Sequence, residues 1–463
     1  KGVVAAFENV LGHGVIVPRH REVLGAFGAA ISVHEKMALE NTRQSIFRGI
    51  DSAIDDRMDF KEKICRADSS CHNQCKLKIY NFDGRKSIWG GECGRYELRA
   101  RKGAKTEDLF RLRDAIWQSH MSGVYEELTE EPRMSIEGRP TVGMQRALHG
   151  VHTSVLWAHF FDRLGLRLVL TPPTNSQMSS AGIEAMTAET CFPVKVSHGH
   201  VKALAGKTRY LFLPSMVNMR TPKESETGFY CPLIQSNQFM VREALGLDER
   251  AILSPIVHLK YDTPTLALEL GKNLSRKLGR SQSRIRSALE YALERQNAFV
   301  KEMHQKGKQI MDGHAPESPL VVVTGRPYNL YDERLNLRLG QNLAKIGVAA
   351  IPMDFVDVGS IDLEDFPSMY WGLGAQILKT ATVIEGRHNY FGLHITNFSC
   401  GIDSFVEHFY KYVMAEKPYL ILELDEHSAV AGVMTRLEAY KNVIENTMQK
   451  QADTLTLGLR AAN

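Results

Sequence analysis

No stretch of this sequence is apolar for long enough to cross a bilayer, which takes about 20 consecutive apolar residues. No secretory leader stands at its start, and no membrane partner is expected. An excess of one charge is lacking as well. Lys and Arg number 57 against 53 Asp and Glu, a formal net charge of +4, too balanced to argue for nucleic acid or a lipid surface. Cysteine is scarce and odd in number, seven in 463 residues, which argues against a disulfide framework. A reducing cytoplasm, with thiolates available for metal, is the expected setting. No methionine opens the chain at Lys1, so its start reads as a processed end or as the visible part of something longer.

What is present is an ordinary globular composition, 43% hydrophobic, in a chain too long for one core. Residues 1–40 give a strand signal at Gly14–Val17, a break at Pro18, and a small-residue helix through Gly25-Ala26-Phe27-Gly28-Ala29-Ala30. Residues 41–135 are charged and irregular, hold four cysteines, and end in an amphipathic helix over 107–131. From 136 to 262 strands and helices alternate. The strands are Thr141–Met144, Leu166–Leu170, Arg209–Leu213 and Ile252–Val257, with a helix at Thr153–Leu164. Residues 263–315 read as a charged helical spacer. From 316 to 463 the alternation resumes with Leu320-Val321-Val322-Val323, a buried-strand run. A helix at 334–346, a strand at Val348–Pro352, and a helix at 367–384 follow. Then come a strand through His394 to Phe398, a helix at 403–414, strand Tyr419–Leu424 and a helix at 430–448. This order predicts an α/β fold of two Rossmann-like, doubly wound domains with parallel sheets, joined by the spacer.

The cysteines fall into two groups. Cys65, Cys71, Cys75 and Cys93 crowd a turn-rich stretch, the last within Gly90-Gly91-Glu92-Cys93-Gly94. Four thiolates suit zinc or an iron–sulfur cluster, though the spacing lacks the Cys-x2-Cys pairs of zinc ribbons. Four unligated thiols in a loop are the plainer alternative, and His72 reads as a solvated bystander. Cys191, Cys231 and Cys400 are far apart, each beside proline or glycine at the end of a predicted element. On spacing alone they fit either buried structural thiols or a cluster with one open coordination position.

Several motifs stand out together. They are Thr190-Cys191-Phe192-Pro193-Val194-Lys195 with His198-Gly199-His200, Gly325-Arg326-Pro327-Tyr328-Asn329-Leu330-Tyr331-Asp332, and Met369-Tyr370-Trp371-Gly372. To these add Thr396-Asn397-Phe398-Ser399-Cys400-Gly401-Ile402-Asp403-Ser404-Phe405 and Leu422-Glu423-Leu424-Asp425-Glu426-His427-Ser428-Ala429. With them the chain resembles, over nearly its whole length, the activase-related proteins of the 2-hydroxyacyl-CoA dehydratase and benzoyl-CoA reductase superfamily. Residues 1–40 resemble the end of that family's ATP-binding activator domain, of acetate-kinase/Hsp70-like fold. The glycine-rich nucleotide motif that precedes this segment in the family is absent from the sequence, so ATP is expected on a preceding part or on a partner.

The resemblance implies an iron–sulfur redox protein in an anaerobic, ATP-coupled electron-transfer or reductase system. Cys191, Cys231 and Cys400 would ligate a 4Fe–4S cluster, with zinc or a second cluster at the four-cysteine site. It implies an activator ATPase domain or subunit as partner, an acyl-CoA or other small-molecule substrate, and a homo- or hetero-oligomer. Direct acyl-CoA dehydration is a further option, and a non-catalytic scaffold or maturation partner is the alternative from another class. No catalytic residue is assigned. Arg326 could receive an anion or pack in a turn. Asp425, Glu426 and His427 could relay protons or form a turn closed by Ser428. His198 and His200 read as helix-surface residues or as donors to a cluster sulfur, and Lys195 as an offset to cluster charge.

Overall fold

A computed structural model describes residues 2–39, 49, 51, 59–67, 75–82, 85–91, 96, 106–223 and 225–461, the side chains of 82, 85 and 454–461 excepted. The chain divides into two compact units, Lys1–Phe60 and Lys61–Asn463. In the first, helices α1 (Gly2–Leu11) and α2 (Leu24–Leu39) bury no residue. The strand expected at Gly14–Val17 does not form; that segment belongs to no helix or strand.

The second unit opens on a small sheet of β1 (Phe60–Ile64), β2 (Lys76–Phe82) and β3 (Arg85–Trp89), in that order. Helix α3 (Leu109–Met121) is capped by Asp108, whose carboxylate accepts from Phe110 N at 3.2 Å. It stops ten residues short of the expected end. Gly123, at φ +76°, turns the chain, and Tyr125–Glu127 becomes β4.

The first parallel sheet adds β6 (Arg139–Met144), β7 (Arg167–Leu170), β8 (Tyr210–Phe212) and β10 (Ile252–Leu253), in the order β10-β8-β6-β7-β4. The short β5 (Ser135–Ile136) pairs antiparallel with β6. Helices α4 (Gly150–Arg163), α5 (Ser176–Ala185) and α6 (Phe192–Leu204) lie between these strands in sequence. The strand expected over Ile252–Val257 is broken. Its second half, β11 (Ile256–His258), pairs instead with β9 (Ser215–Asn218) as a separate ribbon. Pro255 at the break has no N–H to carry the ladder on. Short helices α7 (Pro232–Gln235) and α8 (Asn237–Leu245) connect β9 to β10.

The helical spacer is α9 (Thr263–Leu278) and α10 (Gln282–Gly313), divided at Gly279, φ +60°. At 32 residues α10 spans about 48 Å. It packs on α3, α4 and α9. The second sheet follows, with β12 (Leu320–Gly325), α11 (Pro327–Tyr331), α12 (Leu339–Lys345) and β13 (Ala350–Pro352). Then come α13 (Gly372–Glu385), β14 (Tyr390–Asn397), α14 (Gly401–Met414), β15 (Tyr419–Leu424) and α15 (Val430–Ala461). Its order is β13-β12-β14-β15, all parallel. The helix expected over 334–346 shrinks to α12, because Leu337 (φ 52°) and Arg338 (φ 57°) take left-handed backbone.

One continuous apolar core runs through both sheets and α10, from Leu109 to Ile444. Apart from β5, the strands of both sheets run parallel and alternate with helices, as the order of elements predicts. Among the described residues no helix is long and apolar enough to cross a membrane.

Candidate functional site

In the second sheet the chain leaves β12 toward β13 on one side and returns to β14 on the other. The crevice beyond the carboxyl ends of β12 and β14 is therefore a topological switch point, where ligands of doubly wound sheets bind. Arg326 stands at the end of β12, and Cys400 at the end of β14.

Arg326 is 1% exposed, and its guanidinium reaches Asp403 Oδ1 at 2.5 Å; Asp403 Oδ2 accepts from Thr396 Oγ1 at 2.6 Å. Burial alone would protonate Asp403, but Arg326, His394 and the Thr396 hydroxyl hold its carboxyl below the usual range. Of the two readings of Arg326, the packed turn is the one the contacts describe. Its Nε remains without a hydrogen-bond partner.

Each of the three dispersed cysteines occupies the position before a helix. Cys191 precedes α6, Cys231 precedes α7 and Cys400 precedes α14. Pro193 and Pro232 sit in the first turns, where a missing N–H costs nothing. The Cys191 carbonyl accepts from Val194 N at 3.0 Å, and the Cys231 carbonyl from Ile234 N at 2.9 Å. Ser399, at φ 64°, bends the chain so that Cys400 N donates to Asn397 O at 3.1 Å. Cys191 is buried, whereas Cys231 and Cys400 are half-buried.

The thiols influence one another electrostatically. Burial pushes Cys191 up to about 11; the Cys231 thiol adds to this and Arg326 opposes it. Cys400 rises to about 12, first through burial, with Arg326 opposing and Asp403 and Cys191 adding. Buried Tyr328 is raised well above its ordinary value by desolvation, and all three cysteines contribute. Among the described residues, no three His, Cys, Asp or Glu side chains are grouped to hold a metal ion.

Contacts between distant segments gather these loops. Phe229 N donates to Tyr370 O at 2.9 Å, and Gly372 N to Phe229 O at 3.0 Å. At Gly372 the backbones approach closely, for a Cβ there would stand 3.1 Å from Gly228 Cα. Buried Lys379 on α13 pairs with Glu226 at 2.6 Å, tying α13 to the loop before Cys231. Lys195 on α6 pairs with Glu189 and, at 2.7 Å, with Glu426 after β15. Burial works against its charge, but the two carboxylates raise it overall. Asp425, Ser428 and His427 form a closed turn: Ser428 Oγ donates to Asp425 Oδ1 at 2.9 Å, and His427 N donates to the same oxygen at 2.9 Å.

His198 and His200 are 1% and 0% exposed, not surface residues. His198 Nδ1 bonds Val194 O at 2.8 Å, and His200 lies between Thr171 and Thr174 at 2.5 and 2.8 Å. Lys379 and Glu226 carry no motif in the sequence, and Asp403 and Tyr328 lie within motifs that gave them no role. Only the Asp at the third residue after Cys400, in the first turn of a helix, carried a local signal.

At the four-cysteine stretch, Cys65 N donates to Cys75 O at 2.9 Å, and Cys65 Sγ lies 3.4 Å from the Tyr96 hydroxyl. Cys71, His72 and Cys93 lie outside the described residues.

Residues 141–356 match a protein-family model described as the CoA enzyme activase uncharacterised domain. This stretch is an activase-family domain. The match agrees with the activase-related resemblance, and the activase domain contains Cys191, Cys231 and Arg326. No curated protein matches the chain. Among solved structures, a metal-free S38A mutant of a periplasmic metal binding protein from Candidatus Liberibacter asiaticus is 9% identical. It covers 66% of this chain and 99% of its own, at a TM-score of 0.22. FpvC from Pseudomonas aeruginosa in complex with Mn2+ is 10% identical, covering 68% and 99%, at 0.20. Glucosamine-6-phosphate deaminase from Thermotoga maritima is 8% identical, covering 74% and 93%, at 0.16. Similarity at that level carries nothing over to the activase domain.

Proposed function

We propose that the protein is an iron–sulfur component of an ATP-coupled, low-potential electron-transfer or reductase system acting with a dehydratase-type partner. What supports this reading is that Cys191, Cys231 and Cys400 each stand just before a helix, and that Cys231 acts electrostatically on Cys191 and Cys191 on Cys400. A helix amino terminus presents unpaired N–H groups and partial positive charge, which favour thiolate over thiol. Arg326 acts in the same direction on Cys191 and Cys400. Three such thiolates suit a 4Fe–4S cluster with one open position. Cys191, Cys231 and Cys400 would hold such a cluster through their thiolates. When bound, the cluster supplies a one-electron carrier.

The chain's own residues hold and shield the crevice. Arg326 and Asp403 fix the ends of β12 and α14, and the Lys195–Glu426 pair holds α6 against the end of β15. Half-exposed Phe398 and Phe405 flank Cys400 and offer an apolar face to the partner that delivers or accepts the electron. ATP hydrolysis belongs to an activator domain or subunit, and the substrate to the wider acyl-CoA class. Zinc or a second cluster is the proposal for Cys65, Cys71, Cys75 and Cys93.

A second reading is a scaffold with structural metal sites. The burial that raises Cys191 and Cys400 favours it, because protonated thiols are inert. Anaerobic purification with iron and sulfide analysis separates the two. Brown protein with about four irons at this site, lost in Cys191→Ser and Cys400→Ser variants that keep the wild-type circular dichroism, supports the redox reading. Colourless protein that takes up only zinc sinks it.

A further inference from the structure

A second polar concavity lies at the other end of α11 from Arg326. A pocket of about 180 Å³ is lined by four arginines, Arg113, Arg146, Arg334 and Arg338, beside Trp117 and Tyr331. Asp114, Asp332 and Glu333 also reach it. The carboxylates do not satisfy every guanidinium. Arg338 Nε is 3.2 Å from Glu333, and Arg113 is 3.7 Å from Asp114. Arg146 has no carboxylate at ion-pair distance among the described residues; its guanidinium lies 4.5 Å over the Trp117 ring. Arg113 is 3% exposed and is held by Val151 O at 2.7 Å and by the Tyr331 ring at 4.2 Å, yet its Nε has no hydrogen-bond partner. Buried Ser154 accepts from Trp117 Nε1 at 2.8 Å, which leaves its own proton to donate.

Guanidiniums stacked on rings are preorganised forks, and two of them beside a hydroxyl match the several acceptor oxygens of a dianion better than a single carboxylate. The volume falls below the roughly 300–1,000 Å³ of pockets for drug-sized ligands, so the occupant is small. We propose that this pocket binds phosphate, free or as a small phosphomonoester, through Arg146 and Arg113 with Ser154. The site is separate from the cysteine crevice, and its occupancy does not depend on any cluster.

Titration calorimetry of the full chain with inorganic phosphate, against sodium chloride of equal ionic strength, tests this. Saturable binding is expected with phosphate, weakened at least tenfold in Arg146→Gln and several-fold in Arg146→Lys, which keeps the charge but loses the fork. Glycerol phosphate binding more tightly than inorganic phosphate assigns the site to a phosphomonoester; equal or weaker binding assigns it to free phosphate. Should Arg146→Gln fail to fold, Arg146→Lys and broadening of the phosphorus resonance by the wild-type chain decide. Phosphate binding no better than chloride overturns the proposal, as does wild-type affinity in either variant. Tighter binding of succinate than of phosphate also overturns it.

Discussion

Thr171 and Thr174 hold the buried His200 ring from both sides. The Thr174 hydroxyl donates to Asp332, so its oxygen accepts from His200 Nε2, while Thr171 accepts from Arg146 N and stands 2.5 Å from Nδ1. Burial, with Arg146 adding, lowers the ring's pKa to about 3, so it is neutral at pH 7. His149, 2% exposed, is lowered by burial to about 4. Both folded values lie below the unfolded 6.5. Between that value and the folded ones, the unfolded chain binds more protons, so stability falls as pH falls. At pH 5 each histidine should cost about 2 kcal/mol relative to pH 7. Urea midpoints at the two pH values measure this. His149→Gln and His200→Gln should each flatten the dependence, and equal midpoints for the wild type would refute it. At this scale the sequence was least legible. The pairing of Arg326 with Asp403 joins residues 77 apart, and no local pattern records it.

Helices α5 and α6 cross backbone to backbone. A Cβ at Gly199 would stand 1.9 Å from Met178 O, and one at Gly182 would stand 2.1 Å from Lys195 O. Neither contact can yield without moving a helix, and α6 begins at Cys191. Gly199→Ala should lower stability by at least about 2 kcal/mol and raise the accessibility of Cys191 to thiol reagents. Unchanged denaturation and unchanged labelling would show that the crossing relaxes freely. Apolar runs and helical periodicity found most elements here; strands such as Leu320–Gly325, buried on both faces, read as continuous apolar runs. Periodicity failed where side chains compete for the backbone. Asn336 donates to Leu330 O at 2.7 Å and Asn342 to Leu337 O at 2.9 Å, closing turns where a helix was expected.

Across the second unit, the two sheets share one apolar core, with α10 packed against α3 and α4. At Gly307 α10 approaches Phe355 O so closely that a Cβ would stand 1.9 Å away. Amides in β6, β7, β12 and β14 should therefore exchange through one global opening, with the same free energy and the same urea dependence. Native-state hydrogen exchange measures this, and separate free energies for the two sheets would show that they open independently.

The sequence by itself determined the alternation of strands and helices, and with it the parallel sheets, because burial periodicity is a local property of the chain. It also marked Cys191, Cys231 and Cys400 by their proline and glycine neighbours. Tertiary structure alone decided that these thiols act on one another, that Arg326 spends its charge on Asp403, and that Arg146 stacks on Trp117. The reason is distance along the chain. Contacts between residues far apart in the chain depend on how sheets and helices pack, and composition and spacing carry no record of that packing.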